Sequence, residues 1–186
     1  MGLKIAVIGS GSTYCPELAE GFIKAADNLP LDSIYLMDIN PRKLHIVGGF
    51  FSRVFQKHGM SCKVILTENL QEAVAGADYI ITQIRVGEMP ARIQDEKIPL
   101  KYDLIGQETT GIGGFFNALR TLPAIEEIAH EIERSAPDAW LINFSNPSGI
   151  LAEYLCNYTN VKAIGLCNVP ITTLESMGEC LNLDYR

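Results

Sequence analysis

Residues 5–18 read IAVIGSGSTYCPEL, and this stretch decides the fold. The apolar run up to Ile8 is short and ends abruptly at Gly9, which suits a buried strand. A helical pattern opens at Pro16, a residue that fits a helix first turn. Gly9 and Gly11 therefore lie at a strand-to-helix turn. Without side chains there, the backbone can bend and a pyrophosphate can approach. Ser12 and Thr13 can cap the helix and offer hydroxyls. The third glycine of the G-x-G-x-x-G pattern is replaced by Tyr14.

The second strand supports this reading. It ends in LMDIN, with Asp38 at its carboxyl end. An acidic side chain there can accept hydrogen bonds from an adenosine ribose, which favours NAD. Arg42 could instead accommodate a 2′-phosphate, and Asp38 could simply cap the helix that starts near Pro41. The interval from Gly11 exceeds the usual spacing of about 20 residues, so a long first helix is expected.

Further out, strands are expected at Lys4–Ile8, Ser33–Met37, Lys63–Leu66, Tyr79–Gln83, Trp140–Phe144 and Lys162–Leu166. Helices are expected at Pro16–Ala26, Arg42–His58, Leu70–Val74, Gly114–Arg134 and Pro147–Tyr154. Alternation of this kind implies an α/β fold, with a doubly wound parallel sheet covered on both faces. Arg85 to Gly114 breaks the rhythm. It is dense in charge and glycine and has no clean period, so it reads as a long functional connection at the sheet's carboxyl edge.

The chain has 186 residues, enough for one domain with a real core, and its 47% apolar content excludes a disordered polymer. Fifteen basic residues against 22 acidic ones leave a net charge of −7. No bulk field draws this chain to nucleic acid or an anionic membrane. Cys15, Cys62, Cys156, Cys167 and Cys180 are odd in number and show no CxxC spacing. Reduced thiols and a cytoplasmic location are expected. His45, His58 and His130 fall on expected helices without ligand-like spacing.

Four more motifs follow in order: RVGEMPARIQDEKIPLKY, GQETTGIGG, NFSNPSG and CNVP. Together with GSGSTYCPEL they resemble glycoside hydrolase family 4, the NAD-dependent glycosidases, from Ile5 to about Pro170. The resemblance implies a Rossmann-like NAD-binding domain over 1–170, with 171–186 beginning a second domain. It also implies an unusual reaction. NAD+ oxidises the sugar C3 hydroxyl, and a base then removes the acidified C2 proton. The aglycone leaves by elimination, water adds at C1, and the ketone is reduced again. A divalent metal, usually manganese in this family, polarises the sugar oxygens.

Residue by residue, Cys167 matches the family's metal-ligand cysteine. Arg92 and Asn146 match positions that bind substrate. Glu108 matches a glutamate that raises the basicity of the family's tyrosine base. Asn168 stands where α-glucosidase-like members carry an aspartate acid, which points to the 6-phospho-β-glucosidase members. Plainer alternatives exist for each: a buried thiol for Cys167, a turn for Asn146, a cap for Asn168, and exposed charges for Arg92 and Glu108. The ligand expected is a phosphorylated disaccharide or glucoside, and the full-length form is expected to be a homo-oligomer.

Family members are more than twice this long. The remainder is expected to carry the metal-binding histidine and the tyrosine base, with Tyr185 a formal candidate here. The 186 residues are accordingly expected to bind NAD and not to turn over alone. Alternative functions are a 6-phospho-α-glucosidase, a 2-hydroxy-acid dehydrogenase sharing the dinucleotide half, and a non-catalytic dinucleotide-binding module.

Overall fold

A computed structural model describes residues 2–184. Six parallel strands form one sheet, in the order β3-β2-β1-β4-β5-β6. The strands are β1 (Leu3–Ile8), β2 (Leu31–Met37), β3 (Lys63–Thr67), β4 (Tyr79–Thr82), β5 (Trp140–Asn143) and β6 (Lys162–Gly165). The helices are α1 (Cys15–Lys24), α2 (Pro41–Lys57), α3 (Leu70–Val74), α4 (Glu88–Leu100), α5 (Gly111–Ser135), α6 (Ser148–Tyr158) and α7 (Val169–Leu181). This is the doubly wound order, with its switch point between β1 and β4.

The pleat of β1 explains why both faces must be covered. Successive side chains point to opposite sides. Ile5 and Val7 enter a cluster with Phe22, Phe51 and Phe55 under α1 and α2. Ala6 and Ile8 enter a second cluster with Ile125, Ile132 and Leu151 under α3, α5 and α6. In register, Val7 lies opposite Leu36 of β2 and Ile81 of β4. An all-apolar run at the centre of the sheet is the consequence.

Three expectations need correction. The first helix is short, ten residues, and the extra length lies in turns between Ala25 and the start of β2. Helix α1 gains no side-chain cap from Ser12 or Thr13: its N-cap position is Tyr14, and Ser12 Oγ only accepts a 3.3 Å bond from the Tyr14 amide. The Arg85–Gly114 segment is not all connection, because α4 occupies 13 residues of it. That helix buries only Asp95 and Pro99, so it has no apolar stripe for periodicity to detect. Helix α7 likewise goes beyond the expected elements.

Candidate functional site

The loop after β1 is bound into the sheet. The amides of Gly9 and Ser10 both donate to the Met37 carbonyl at the end of β2, at 2.9 and 3.0 Å. Gly9 has φ +86°, and a Cβ there would lie 2.8 Å from the Gln83 carbonyl oxygen. A Cβ on Gly11 would lie 2.8 Å from Asp38 Oδ2. Both positions therefore require glycine.

Asp38 accounts for the second contact. Its Oδ2 accepts from the Gly11 amide at 2.8 Å, and its Oδ1 accepts from the Asn40 amide at 2.8 Å. The cap of α2 is Asn40, which accepts from the Lys43 amide at 3.1 Å. Asp38 is thus not the cap of that helix but a pin between β2 and the glycine loop. Each carboxylate oxygen keeps a further lone pair for an incoming hydroxyl. The Gly9, Ser10, Gly11 and Ser12 amides are all bonded within the fold, which leaves the Ser12 hydroxyl and exposed Thr13 as the loop's donors toward solvent.

Two neighbouring atoms escaped the sequence reading. Ser10 Oγ is buried without a hydrogen-bond partner and Gln83 Nε2 with at most the weak Cys15 thiol beside it, at the carboxyl ends of β1 and β4. A buried unpaired group costs about 1–3 kcal/mol. A polar ligand laid across the switch point would relieve it, so these residues fit a dinucleotide. A glutamine ending the apolar run YIIT was the available signal.

The second cluster lies beyond β4. Arg85 pairs with Glu108, and Arg92 Nη2 lies 3.3 Å from Glu108 Oε2. Arg92 Nε also donates to Glu96 Oε1 at 2.8 Å. These pairs hold the Arg92 guanidinium further into its charged form, chiefly through the Glu96 bond. The structure brings together Arg92 and Glu108, and adds Arg85, which sequence reasoning missed. Glu108 is half-buried between two arginines, not an exposed carboxylate.

A third group frames the end of β5. Thr82 Oγ1 donates to Asn143 Oδ1 at 2.8 Å, and Ser145 Oγ accepts from the Ile84 amide at 2.9 Å. Asn143 and Ser145 of the NFSNPSG motif are thereby spent on joining β4 to β5. Asn146 follows them, half-buried, before a cis peptide to Pro147.

Cys167 and Asn168 follow β6. Both are exposed, so the buried-thiol alternative for Cys167 does not hold. Ser148 Oγ donates to the Leu166 carbonyl at 3.1 Å, which ties this end to α6. Asn168 occupies the N-cap position of α7 but makes no side-chain cap bond. Three strand spacings, about 14 Å, separate β6 from β1. Among the described residues, no hydrogen bond or ion pair joins Cys167 or Asn168 to Arg92 or Glu108. Nor do three His, Cys, Asp or Glu side chains gather as a metal site. Cys167 offers one donor, which does not by itself hold a metal. Tyr185 lies outside the described residues.

Burial separates the thiols. It pushes Cys15 up to about 12 and Cys62 up to about 11. Among the described residues, no helix is long and apolar enough to cross a membrane. A hollow of about 450 Å³ lies at the sheet's opposite edge, near Asp78 and Trp140, and holds none of these residues.

The profile of the family 4 glycosyl hydrolases matches residues 4–183. The chain belongs to this family. It is 50% identical to a probable 6-phospho-beta-glucosidase of Bacillus subtilis, over 98% of this chain and 42% of that one. Among solved structures, the 6-phospho-beta glucosidase of Thermotoga maritima, with NAD and glucose-6-phosphate, superposes with TM-score 0.91 at 40% identity. That match covers 100% of this chain and 44% of the other. A 6-phospho-alpha-glucosidase from gut microorganisms, in complex with NAD and Mn2+, gives 0.92 at 30% identity, covering 100% and 43%. This family 4 chain therefore spans well under half the length of these relatives.

Proposed function

We propose that the chain is the nucleotide-binding portion of an NAD+- and divalent-metal-dependent 6-phospho-β-glucosidase. The observation that carries this is the arrangement at the sheet's carboxyl edge. A pinned glycine loop with Asp38 lies on one side of the switch point, and an arginine-rich cluster lies on the other. The β-glucosidase relative is 50% identical and the α-glucosidase 30%, which agrees with asparagine at 168.

Asp38 accepts the ribose hydroxyls, while Ser12 and Thr13 donate to phosphate. Bound NAD+ supplies a hydride acceptor. Arg92 grips the sugar phosphate with its planar fork, and Asn146 bonds sugar hydroxyls. Arg85 and Arg92 fix the Glu108 carboxylate, whose charge, as the family resemblance implies, acts on the tyrosine base. Cys167 contributes one metal donor, and Asn168 orients the leaving side without giving a proton. Residues 1–170 form the nucleotide domain and 171–186 begin the next. A cytoplasmic, homo-oligomeric full-length protein acting on a phosphorylated glucoside completes the proposal.

Calorimetric titration of the 186 residues with NAD+ is expected to give saturable binding, with glucose 6-phosphate raising the melting point further. A chromogenic 6-phospho-β-glucoside with NAD+, Mn2+ and thiol is expected to give no turnover. Robust turnover would refute the placement of the base outside this chain. Net NADH consumption with a keto acid would point to a dehydrogenase.

A further inference from the structure

Behind the Arg85–Glu108–Arg92 cluster, Asp95 of α4 is only 4% exposed. A buried carboxylate needs a well-formed partner. Arg120 of α5 supplies it with two bonds, Nη1 to Oδ1 at 3.1 Å and Nη2 to Oδ2 at 2.5 Å. The same guanidinium donates Nε to the Val86 carbonyl at 2.9 Å. One turn earlier on α5, buried Asn117 donates Nδ2 to the Glu108 carbonyl at 3.2 Å. Its Oδ1 accepts from Thr121 Oγ1 at 3.1 Å and meets Arg120 Nη2 at 3.5 Å.

Each charged member of the cluster is thus one short link from α5. Arg85 adjoins Val86, Arg92 precedes Asp95 by three positions on the same helical face, and Glu108 is held through its own carbonyl. Buried ion pairs are often replaceable by apolar groups without loss of stability. Their geometry, fixed at both ends, is what an apolar pair cannot reproduce.

We propose that Arg120, with Asp95, is a positioning residue: it sets Arg85, Arg92 and Glu108 in one constellation against the sugar phosphate. The substrate half of this statement rests on the function proposed above. Arg120→Lys keeps the charge but loses the fork. In that variant, amide exchange over residues 85–92 and 106–110 is expected to rise about tenfold, with the β1, β2 and β5 amides unchanged. Asp95→Asn, a milder change, is expected to repeat the pattern more weakly. Exchange that rises uniformly along the chain, or does not rise in either variant, overturns the positioning role.

Ligand titration separates the two claims. Glucose 6-phosphate affinity is expected to fall about tenfold in Arg120→Lys while NAD+ affinity holds. Where the unaltered chain binds glucose 6-phosphate, a variant that binds it equally well overturns the role. If the unaltered chain ignores glucose 6-phosphate while local exchange still rises, the positioning stands and the substrate reading falls.

Discussion

The loops after β1 and after β6 both leave the same edge of one sheet, yet they are built differently. The first is bonded to β2 through Met37 and Asp38 and underlain by wholly buried Val7, Phe51 and Leu36. The second leads into exposed Cys167 and then α7, where Val169, Ile171, Leu174, Met177 and Leu181 are each more than half exposed. Helix α7 makes at most marginal contact with the other described elements. The glycine loop is thus held in place by the fold itself. Cys167 and Asn168, at the other end of the sheet, stand exposed and make no hydrogen bond to that loop among the described residues.

The largest expected effect concerns the thiols. Cys15 opens α1, facing the core, and is pushed up to about 12 by burial, whereas Cys167 is exposed. A thiolate is the reacting species, so near pH 8 Cys15 is expected to react roughly a thousandfold more slowly than an ordinary thiol. Titration of the native chain with an aromatic disulfide should show three fast thiols, Cys156, Cys167 and Cys180, and two slow ones. Five equal rates would erase the contrast between the two regions.

Next comes the core beneath the first loop. Phe51 is 0% exposed, 4.7 Å from the Phe55 ring centroid and 6.4 Å from that of Phe22. Phe51→Ala is expected to cost about 3–5 kcal/mol in denaturant unfolding. A loss below 1 kcal/mol would mean that this half is not the rigid one.

These two regions also differ in how legible they were. Strand positions were readable because a central parallel strand is an unbroken apolar run, and Gly9, Gly11 and Asp38 stand at fixed points beside such runs. Helix α4 was not readable, since it docks through an ion pair between Asp95 and Arg120, 25 residues apart in the chain. Arg85 was missed for a similar reason: its partner Glu108 is 23 residues on, a distance that no local pattern carries. The first helix was expected to be long because spacing counts residues without distinguishing helix from turn. Cys167, Asn168, Arg92, Asn146 and Glu108 were singled out through motif resemblance, whereas Ser10 and Gln83, beside the glycine loop, stand out only by their buried polar atoms in the packed edge.

Asp38 gives a middle-sized test. Asp38→Ala removes two charge-assisted bonds, to Gly11 and Asn40, each 2.8 Å. A hydrogen bond to a charged group contributes about 1.5–3 kcal/mol, and because both are only part-buried and share one carboxylate, a loss of about that size for the pair is expected, together with weaker NAD+ binding in calorimetry. Unchanged affinity would detach the pin from the nucleotide and leave Asp38 a purely structural residue.

The smallest effect should be on α7. Leu174 is 52% exposed, and truncating an exposed side chain away from caps and pairs changes stability by no more than about 0.5 kcal/mol. Leu174→Ala in the 186-residue chain is therefore expected to leave the unfolding midpoint in place, at any protein concentration. A loss above 2 kcal/mol would require Leu174 to be buried in solution, because only removal from water makes a methyl group matter that much. A loss that grew with protein concentration would locate that burial between molecules, since only association makes stability depend on concentration. A loss independent of concentration would return α7 to the body of its own chain, and the two carboxyl-edge loops would then be equally well supported.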